Sequence, residues 1–419
     1  MFLYFWQKKK LIDINLLQRD CMNFITQIPI FQLRVITLKK TISFFLLFMF
    51  ISSMQLKAQE KEPQDTTKKT LMQKFNSFNE KAENLFKILP FPLVSYATET
   101  GTVIGLVKYN LVRLVKSDTI SSPSSFSELI TISTKEQFKV VLSTKQYYMQ
   151  NKLILQSEAQ YIDYPDIIFG VGNDVSRDNL EHIETKRIVF NNGAFVSLDK
   201  KQHVYFGAMF DYTNYLSVSF EDSSFFLKNH YSGYLGGVSS GIGLGVIFDN
   251  RDHRYNSTNG TYISTNIISF DGLIGSYYNY YSYELDIRHF WNPWYTHVIA
   301  AQIYTKGNVG SVPFYSLSQM GGTERMRGYY YGAIRDKLIL DAQVEYRMHI
   351  WNIFGMVAFV SAGRVADNWS QMDFGNLWYG GGVGLRVMVD RANRANLRVD
   401  FGYGEDGSRT LVLGFTEAF

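Results

Sequence analysis

The chain contains a single cysteine, Cys21, in 419 residues. Cys21 lies in a region that we interpret below as a leader, so the remainder of the chain can form no disulfide and no thiolate metal site. The seven histidines are scattered along the sequence, and no two of them stand at metal-ligand spacing. The sequence therefore predicts no metal and no cofactor.

Charged residues are also scarce, at 19% of the chain, and the formal net charge is only +4. No basic run is interleaved with aromatic residues, so we expect no nucleic-acid partner. Aromatic residues instead reach 16%, with 28 tyrosines and 32 phenylalanines. That balance is unusual in a soluble globular protein and is typical of a membrane barrel with aromatic girdles at both interfaces.

Long apolar runs are missing except near the N-terminus, at residues 41–54. This run is shorter than the roughly 20 residues of a transmembrane helix. It follows Lys39 and Lys40 and precedes a small residue, Ala58, at a plausible cleavage site. The pattern predicts a secretory signal peptide at residues 38–58, with a membrane anchor as the alternative.

Residues 1–37 are too many for the charged start of a signal peptide. Leu38 would be an ordinary first residue if an alternative start codon had been read as leucine, so our hypothesis is that residues 1–37 reflect a mis-assigned start. Residues 1–58 together form the leader region. We interpret the polar residues 59–88 as a flexible periplasmic linker and residues 89–419 as the barrel described next.

Residues 89–419 contain segments of about ten residues that alternate in polarity. In the clearest segment, residues 338–348, Val344 belongs to an apolar face, whereas Asp341 and Glu345 belong to a charged face. A soluble sandwich would turn the charged face to water. A membrane barrel must turn it to the lumen, because a charge facing lipid costs about 2–4 kcal/mol at the midplane. We therefore predict an all-β fold, a transmembrane antiparallel β-barrel.

The connections between these segments alternate between short and long, as the periplasmic turns and outer loops of barrels do. We predict outer loops at residues 163–185, 218–235, 307–335 and 364–376, and tight turns at Lys200-Lys201 and Asn292-Pro293. About five strands follow the loop at 307–335 and about eleven precede it. The prediction is thus about 16 strands, with both ends of the barrel in the periplasm.

The loop at residues 307–335 contains a run of glycine, arginine and tyrosine: Gly321, Gly322, Met326, Arg327, Gly328 and Tyr329. This run resembles the Gly-Gly…Val-Arg-Gly-Phe/Tyr loop of the Bam/Tam-type outer-membrane assembly superfamily, the bacterial surface antigen barrels, with Met326 in the usual valine position. The resemblance implies that the long outer loop folds inward and that Arg327 docks on the inner wall of the barrel.

An arginine inside the lumen needs a carboxylate to offset its desolvation. The predicted lumen faces offer three candidates, Asp341, Glu345 and Asp400. We favour Glu345 first and Asp400 second. Arg335, close to the start of the next strand, is expected in solvent.

Two further segments resemble the same superfamily. Residues 249–252 (Asp-Asn-Arg-Asp) are similar to its Asp-Thr-Arg-Asp turn, which we interpret as a periplasmic turn that reverses the chain. The C-terminal Gly414, Phe415 and Phe419 resemble the signal read by the barrel-assembly machinery. Glu417 departs from that signal, because an apolar residue is usual there.

The resemblance implies a protein of the outer membrane of Gram-negative bacteria that takes part in outer-membrane protein assembly or in translocation of cargo. Its partners would be outer-membrane lipid, the barrel-assembly machinery for its own insertion, and polypeptide cargo. The linker at residues 59–88 is too short for the POTRA domains that usually precede such barrels, which leaves insertion activity open.

A passive or gated pore is the alternative function, and a lipid-modifying barrel enzyme is a weaker one. Residues 237–241 fit the G-x-S-x-G pattern, but that pattern needs a strand-to-helix turn to build a nucleophile. Here it opens a glycine-rich strand, so we expect no catalytic residue and no enzyme.

Overall fold

The computed structural model describes residues 90–97, 101–222 and 224–419. Most of these residues belong to one antiparallel sheet of 16 strands. Each strand of this sheet pairs with the next one along the chain, which is the arrangement of an up-and-down barrel. The barrel strands are β1 (Phe91–Ala97), β2 (Gly101–Val112), β3 (Ser124–Ser133), β4 (Phe138–Tyr148), β5 (Leu153–Ile168), β7 (Glu181–Ser197), β8 (Val204–Phe220), β9 (Gly237–Asp249), β10 (Gly260–Phe270), β11 (Tyr280–Trp294), β12 (His297–Gly310), β15 (Leu338–Trp351), β16 (Phe354–Ala366), β17 (Trp378–Asp390), β18 (Ala395–Gly404) and β19 (Arg409–Phe415).

Three short strands lie in the connections: β6 (Gly170–Val171), β13 (Ser318–Gln319) and β14 (Ile334–Asp336). They form a second sheet with β14 at its centre. The same connections carry the helix α1 (Phe225–Lys228) and short 3₁₀ turns at Arg177–Asn179, Gly272–Ile274, Phe314–Ser316 and Trp369–Gln371. The predicted strand number and its division around the arginine loop are both confirmed, because five barrel strands follow β14 and the others precede β13.

The alternation of polarity sets which side of the sheet faces inward. In β15, Asp341, Gln343 and Glu345 are at most 2% exposed, whereas Val344 between them is 45% exposed. Apolar residues on other strands point outward in the same way: Ile104, Leu106, Ile242, Leu244, Ile303, Val360, Val383, Leu385, Phe401 and Leu411. This continuous apolar exterior is the lipid-facing surface of a transmembrane barrel.

The strands run further into the outer loops than the sequence predicted. β5 and β7 remain paired up to Ile168↔Glu181, so both ends of the predicted loop 163–185 are strand. β8, β12 and β16 also extend a few residues into the predicted loops. Beyond the membrane both faces of a strand meet water, so the alternation fades while the ladder of backbone hydrogen bonds continues.

One predicted turn is misplaced. Asn292 and Pro293 belong to the end of β11, and the chain reverses instead at Tyr295 and Thr296. Tyr295 adopts a φ of 47°, which the tight reversal requires. The pairing of β11 with β12 is irregular between Trp291 and Trp294, which accommodates the proline because a bulge frees its nitrogen from the ladder.

The two ends of the sheet, β1 and β19, form the seam of the barrel. β1 pairs with β2 and β19 pairs with β18, and the described residues contain no ladder between β1 and β19. Each of these strands has 7 residues. The ring of Phe415 in β19 stacks on that of Tyr109 in β2, with centroids 5.6 Å apart and planes 9° from parallel. The seam is therefore bridged by side chains at the end where β19 finishes.

In the part of the chain that the structure describes, no helix is long and apolar enough to cross a membrane. The predicted start, signal peptide and linker at residues 1–88 lie outside the described residues. Their boundaries stay predictions, as does the exact start of the barrel at residue 89.

Candidate functional site: an arginine-anchored loop in the lumen

The connection between β12 and β15, residues 311–337, turns back into the barrel and places its glycine-rich segment against the wall. Gly321 and Gly322 adopt φ values of 91° and 118°, a region that favours glycine. A Cβ atom on Gly321 would lie 2.8 Å from the carbonyl oxygens of Tyr329 and Tyr330. The two limbs of the loop thus approach each other too closely for any side chain at Gly321.

The tip of this loop lies directly on the backbone of β18. A Cβ atom on Gly328 would be 2.6 Å from the carbonyl carbon of Tyr403, and one on Gly402 would be 2.5 Å from the carbonyl oxygen of Arg327. Glycine is therefore needed on both sides of the contact. This close approach is what brings Arg327 to the inner wall.

Arg327 is completely buried between two carboxylates from different strands. Its Nη2 donates to Oε2 of Glu345 in β15 at 2.5 Å, and its Nη1 donates to Oδ2 of Asp400 in β18 at 2.7 Å. The guanidinium carbon also lies 3.6 Å from the ring centroid of Phe359 in β16, a cation–π arrangement. The structure thus brings Arg327 together with both favoured partners from the sequence.

The same two carboxylates bind further arginines of the wall. Nε of Arg347 donates to Oε1 of Glu345 at 2.7 Å, and Nη1 atoms of Arg386 and Arg398 bind the two oxygens of Asp400 at 2.5 and 3.2 Å. Arg386 also binds Oε2 of Glu417 through Nε at 2.7 Å. Four arginines and three carboxylates therefore form one buried network, which we call the arginine network. Arg386 and Arg398 were not singled out from the sequence, because nothing local signals that they meet Asp400 across neighbouring strands.

The sequence of this barrel matches a known protein family. The family model of the Omp85 superfamily domain matches residues 130–417, more than half of the chain. The chain is a member of the Omp85 superfamily. The predicted Bam/Tam-type family is thereby confirmed, and this Omp85 barrel is an outer-membrane protein of the Gram-negative type, as its lipid-facing exterior requires.

One solved structure shares this fold at low sequence identity. BamA from Haemophilus ducreyi, in a structure lacking POTRA domains 1–3, is 13% identical, with a TM-score of 0.50 over 87% of this chain and 80% of that one. CdiB from Acinetobacter baumannii is 14% identical, with a TM-score of 0.47 over 77% of this chain and 57% of that one. No curated protein matches this Omp85 barrel in sequence.

The third predicted partner, Asp341, does not contact Arg327 in this Omp85 barrel. It pairs with Arg325 of the same loop, whose guanidinium carbon lies 3.4 Å from the ring centroid of Tyr304. Gln343, between the two acidic positions of β15, donates to the carbonyl oxygen of Glu324 at 2.9 Å. The loop is thus bound at three successive inward positions of β15, because alternate residues of a strand share one face.

Met326 and Tyr329 pack the remaining sides of the loop. Both are at most 1% exposed and belong to an apolar cluster with Met320 and Ile339. The hydroxyl of Tyr329 donates to the carbonyl oxygen of Tyr379 in β17 and accepts from the backbone nitrogen of Glu405 at 3.1 Å. The loop tip is therefore fixed by apolar packing as well as by charge.

The prediction for Arg335 is wrong. This residue is 1% exposed, and its Nε donates to the carbonyl oxygen of Gly332 at 2.6 Å. It lies in β14, which pairs with β13 and with β6 from a distant loop. The sequence suggested an exposed strand start, because nothing local signals a second small sheet built from separate loops.

The chain leaves the sheet after β19, so the C-terminal residues predicted as one signal lie in two places. Gly414 and Phe415 remain in the strand, but Thr416 has a φ of 62° and the chain turns into the lumen. Phe419 is 6% exposed and packs with Phe290. The departure of Glu417 from the usual apolar residue has a structural reason, because it faces Arg386 and Asn396 in the lumen, not lipid.

A hydrophilic cavity of about 750 Å³ lies in the lumen beside the loop. Its wall carries both signs of charge, from Lys139, Glu158, Arg187, Asp211, Glu284 and Lys306. Ser239 of the G-x-S-x-G pattern also lines it, but no histidine of the described residues does. Ser239 lies within β9 and not on a strand-to-helix turn.

Proposed function

We propose that this Omp85 barrel acts on polypeptides at the outer membrane, assembling or translocating them at the seam between β1 and β19. The observation that carries the proposal is the seam itself, where two strands of 7 residues meet without a ladder among the described residues. A free strand edge presents unpaired N–H and C=O groups that can template an incoming strand.

The position of the arginine network supports the same proposal. Asp400 lies on β18, which pairs with β19, whereas Arg386 lies on β17 and Glu417 on the tail that follows β19. Docking of Arg327 on Asp400 therefore ties the loop to β18, the neighbour of the seam strand β19. We propose Gly321, Gly322, Met326, Arg327, Gly328 and Tyr329 as the functional loop, with Glu345 and Asp400 as its wall partners.

Cross-linking of a nascent barrel protein to β1 tests this proposal. Ser95→Cys places a thiol in β1, and Ser264→Cys provides the matched control in β10, which is paired on both edges. We expect cross-links to the nascent strand from Ser95→Cys and none above background from Ser264→Cys. Equal yields from the two positions would remove the seam from the mechanism.

A gated pore is the second candidate, and the hydrophilic cavity favours it. Single-channel conductance separates a pore from a protein that acts only at its seam. The observations favour a lipid-modifying enzyme less. The G-x-S-x-G pattern lies inside β9, and no histidine of the described residues lines the cavity beside Ser239. We propose no catalytic role, and a lipid hydrolysis assay on the purified barrel tests that.

A further inference from the structure

The connection between β9 and β10 is more than a reversal of the chain. Residues 250–259, which we call the periplasmic strap, contact turns far around the barrel. The Tyr255 hydroxyl donates to the carbonyl oxygen of Pro123, between β2 and β3, at 2.6 Å. Nη1 of Arg394, between β17 and β18, binds Oδ2 of Asp252 at 3.1 Å. In the order of the sheet, β3 lies five positions from β9 and β17 lies five positions from β10, so the strap crosses the periplasmic mouth.

The base of the strap is anchored on one buried carboxylate. Asp249, at the end of β9, accepts hydrogen bonds from Nε and Nη2 of Arg251 at 2.8 and 2.9 Å and from Nη1 of Arg254 at 3.2 Å. Its side chain is 2% exposed. Arg254 also donates to the Tyr205 hydroxyl at 3.3 Å, and its guanidinium lies over the ring of Tyr147. One carboxylate thus orients both arginines of the strap.

Two adjacent hydrophilic cavities, which together we call the passage, lie between the strap and the loop at residues 311–337. A second cavity of about 330 Å³ lies below the first, lined by Lys145, Gln156 and Tyr262. The two cavities share wall residues, among them Asn191 and Asp211. At the lower end, Arg251 of the strap lies 4.7 Å from the ring centroid of Tyr262. The strap therefore contacts the wall of the lower cavity through Arg251.

We propose that this passage is a transport route for small hydrophilic solutes of low net charge, and that the periplasmic strap is its inner gate. The walls determine the class of solute, because cationic Lys139 and Lys306 stand in the same cavity as anionic Asp211 and Glu284. Mixed charge of this kind favours neutral or zwitterionic polar solutes over either ion sign. The gate opens when the contacts of Asp249 and Tyr255 release the strap. The route lies along the wall from β4 to β12 and does not depend on insertion at the seam.

Thiol labelling of the passage tests the gate. The native Cys21 is first removed, either with the leader or by Cys21→Ser. Asn191→Cys then supplies the single thiol of the chain, at a position that lines both cavities. Asp249→Asn should raise the labelling rate by a small hydrophilic maleimide several-fold. Asp199→Asn is the matched control, since Asp199 organises the neighbouring turn between β7 and β8 through local bonds only. Heat-modifiable migration on gels identifies the folded barrels that are compared.

Tyr255→Phe provides a second variant if Asp249→Asn does not fold. It keeps the ring but removes the bond to Pro123, and it should raise the labelling rate to a smaller extent. Unchanged labelling in folded Asp249→Asn and Tyr255→Phe barrels would overturn the gate.

Conductance tests transport through the whole passage. We expect the largest rise in a double variant that combines Asp249→Asn with a shortened loop at residues 321–331, because the loop and the strap lie in series. Faster labelling with no rise in conductance in this double variant would overturn the transport route. The labelling readout leaves the loop and the seam intact, so its outcome is separate from the cross-linking result at Ser95.

Discussion

Arg327 is bound by residues that are far apart in the chain, so its docking specifies one position of the loop. A buried ion pair adds little net stability compared with apolar packing, but removal of one partner leaves an uncompensated charge. The network of Arg327, Glu345 and Asp400 is fully buried. The network therefore changes the free energy of unfolding strongly only when one of its members is lost. This behaviour suits an anchor that holds a loop in one position.

Arg327→Ala is expected to release the loop tip and to lower stability. Loss of one partner of a fully buried pair costs about 3–5 kcal/mol, and less where water enters the lumen. The free energy of unfolding and the rate of proteolysis in residues 321–331 measure the two effects. Arg177→Ala is the matched control, because Arg177 is exposed in an outer loop. Equal proteolysis of the two variants would show that Arg327 does not hold the loop.

Asp400→Asn should lower the free energy of unfolding at least as much as Glu345→Gln does. Asp400 binds Arg327, Arg386 and Arg398, whereas Glu345 binds Arg327 and Arg347 at its closest contacts. Neutralising Asp400 therefore leaves more buried positive charge without a partner. Denaturant unfolding of the two variants gives the order, and a milder effect of Asp400→Asn would mean that Arg386 is held mainly by Glu417.

At the scale of a strand, the alternation of β15 predicts which substitutions hinder insertion. Val344→Arg places a charge against lipid, at a cost of about 2–4 kcal/mol near the midplane. Gln343 is a poor control although it faces the lumen, because it binds Gln302 and the loop. Gln160→Arg is better, since Gln160 lines the hydrophilic cavity. Heat-modifiable migration on gels should show less folded barrel for Val344→Arg, and equal folding of both variants would contradict the strand phase.

The elements that sequence predicts well are those with a local physical signal. The lipid-facing stripe repeats every second residue, so strand number and phase follow from alternation, and Glu345 and Asp400 follow from the same rule. Arg335 and the C-terminal tail could not be predicted this way. Arg335 is buried by β6 and β13 from separate loops, and Phe419 is turned inward at Thr416. Both depend on contacts between distant segments that leave no periodic pattern.

At the scale of the whole molecule, the barrel offers two different routes, the seam beside β19 and the passage along the wall from β4 to β12. They lie in different parts of the sheet. The arginine network and the tail hold the first, and the periplasmic strap closes the second. A single closed conformation therefore restrains both routes, and the docked loop is common to them, because it also lies in series with the strap and Arg347 of the network donates to the carbonyl oxygen of the strap residue Ser257 at 3.5 Å.

Locking the seam should separate these routes. Tyr109→Cys and Phe415→Cys replace two rings with centroids 5.6 Å apart, so a short thiol cross-linker can join β2 to β19. We expect the cross-linked barrel to fold normally but to lose cross-linking of nascent strands at Ser95, since β19 can no longer part from the start of the sheet. Thiol labelling through the strap should be unchanged. The control lock joins Val246→Cys to Thr265→Cys, register partners in β9 and β10 that need not separate. Full activity of the Tyr109–Phe415 lock would place polypeptide handling elsewhere than the seam, whereas recovery after cleavage of the linker would assign it there.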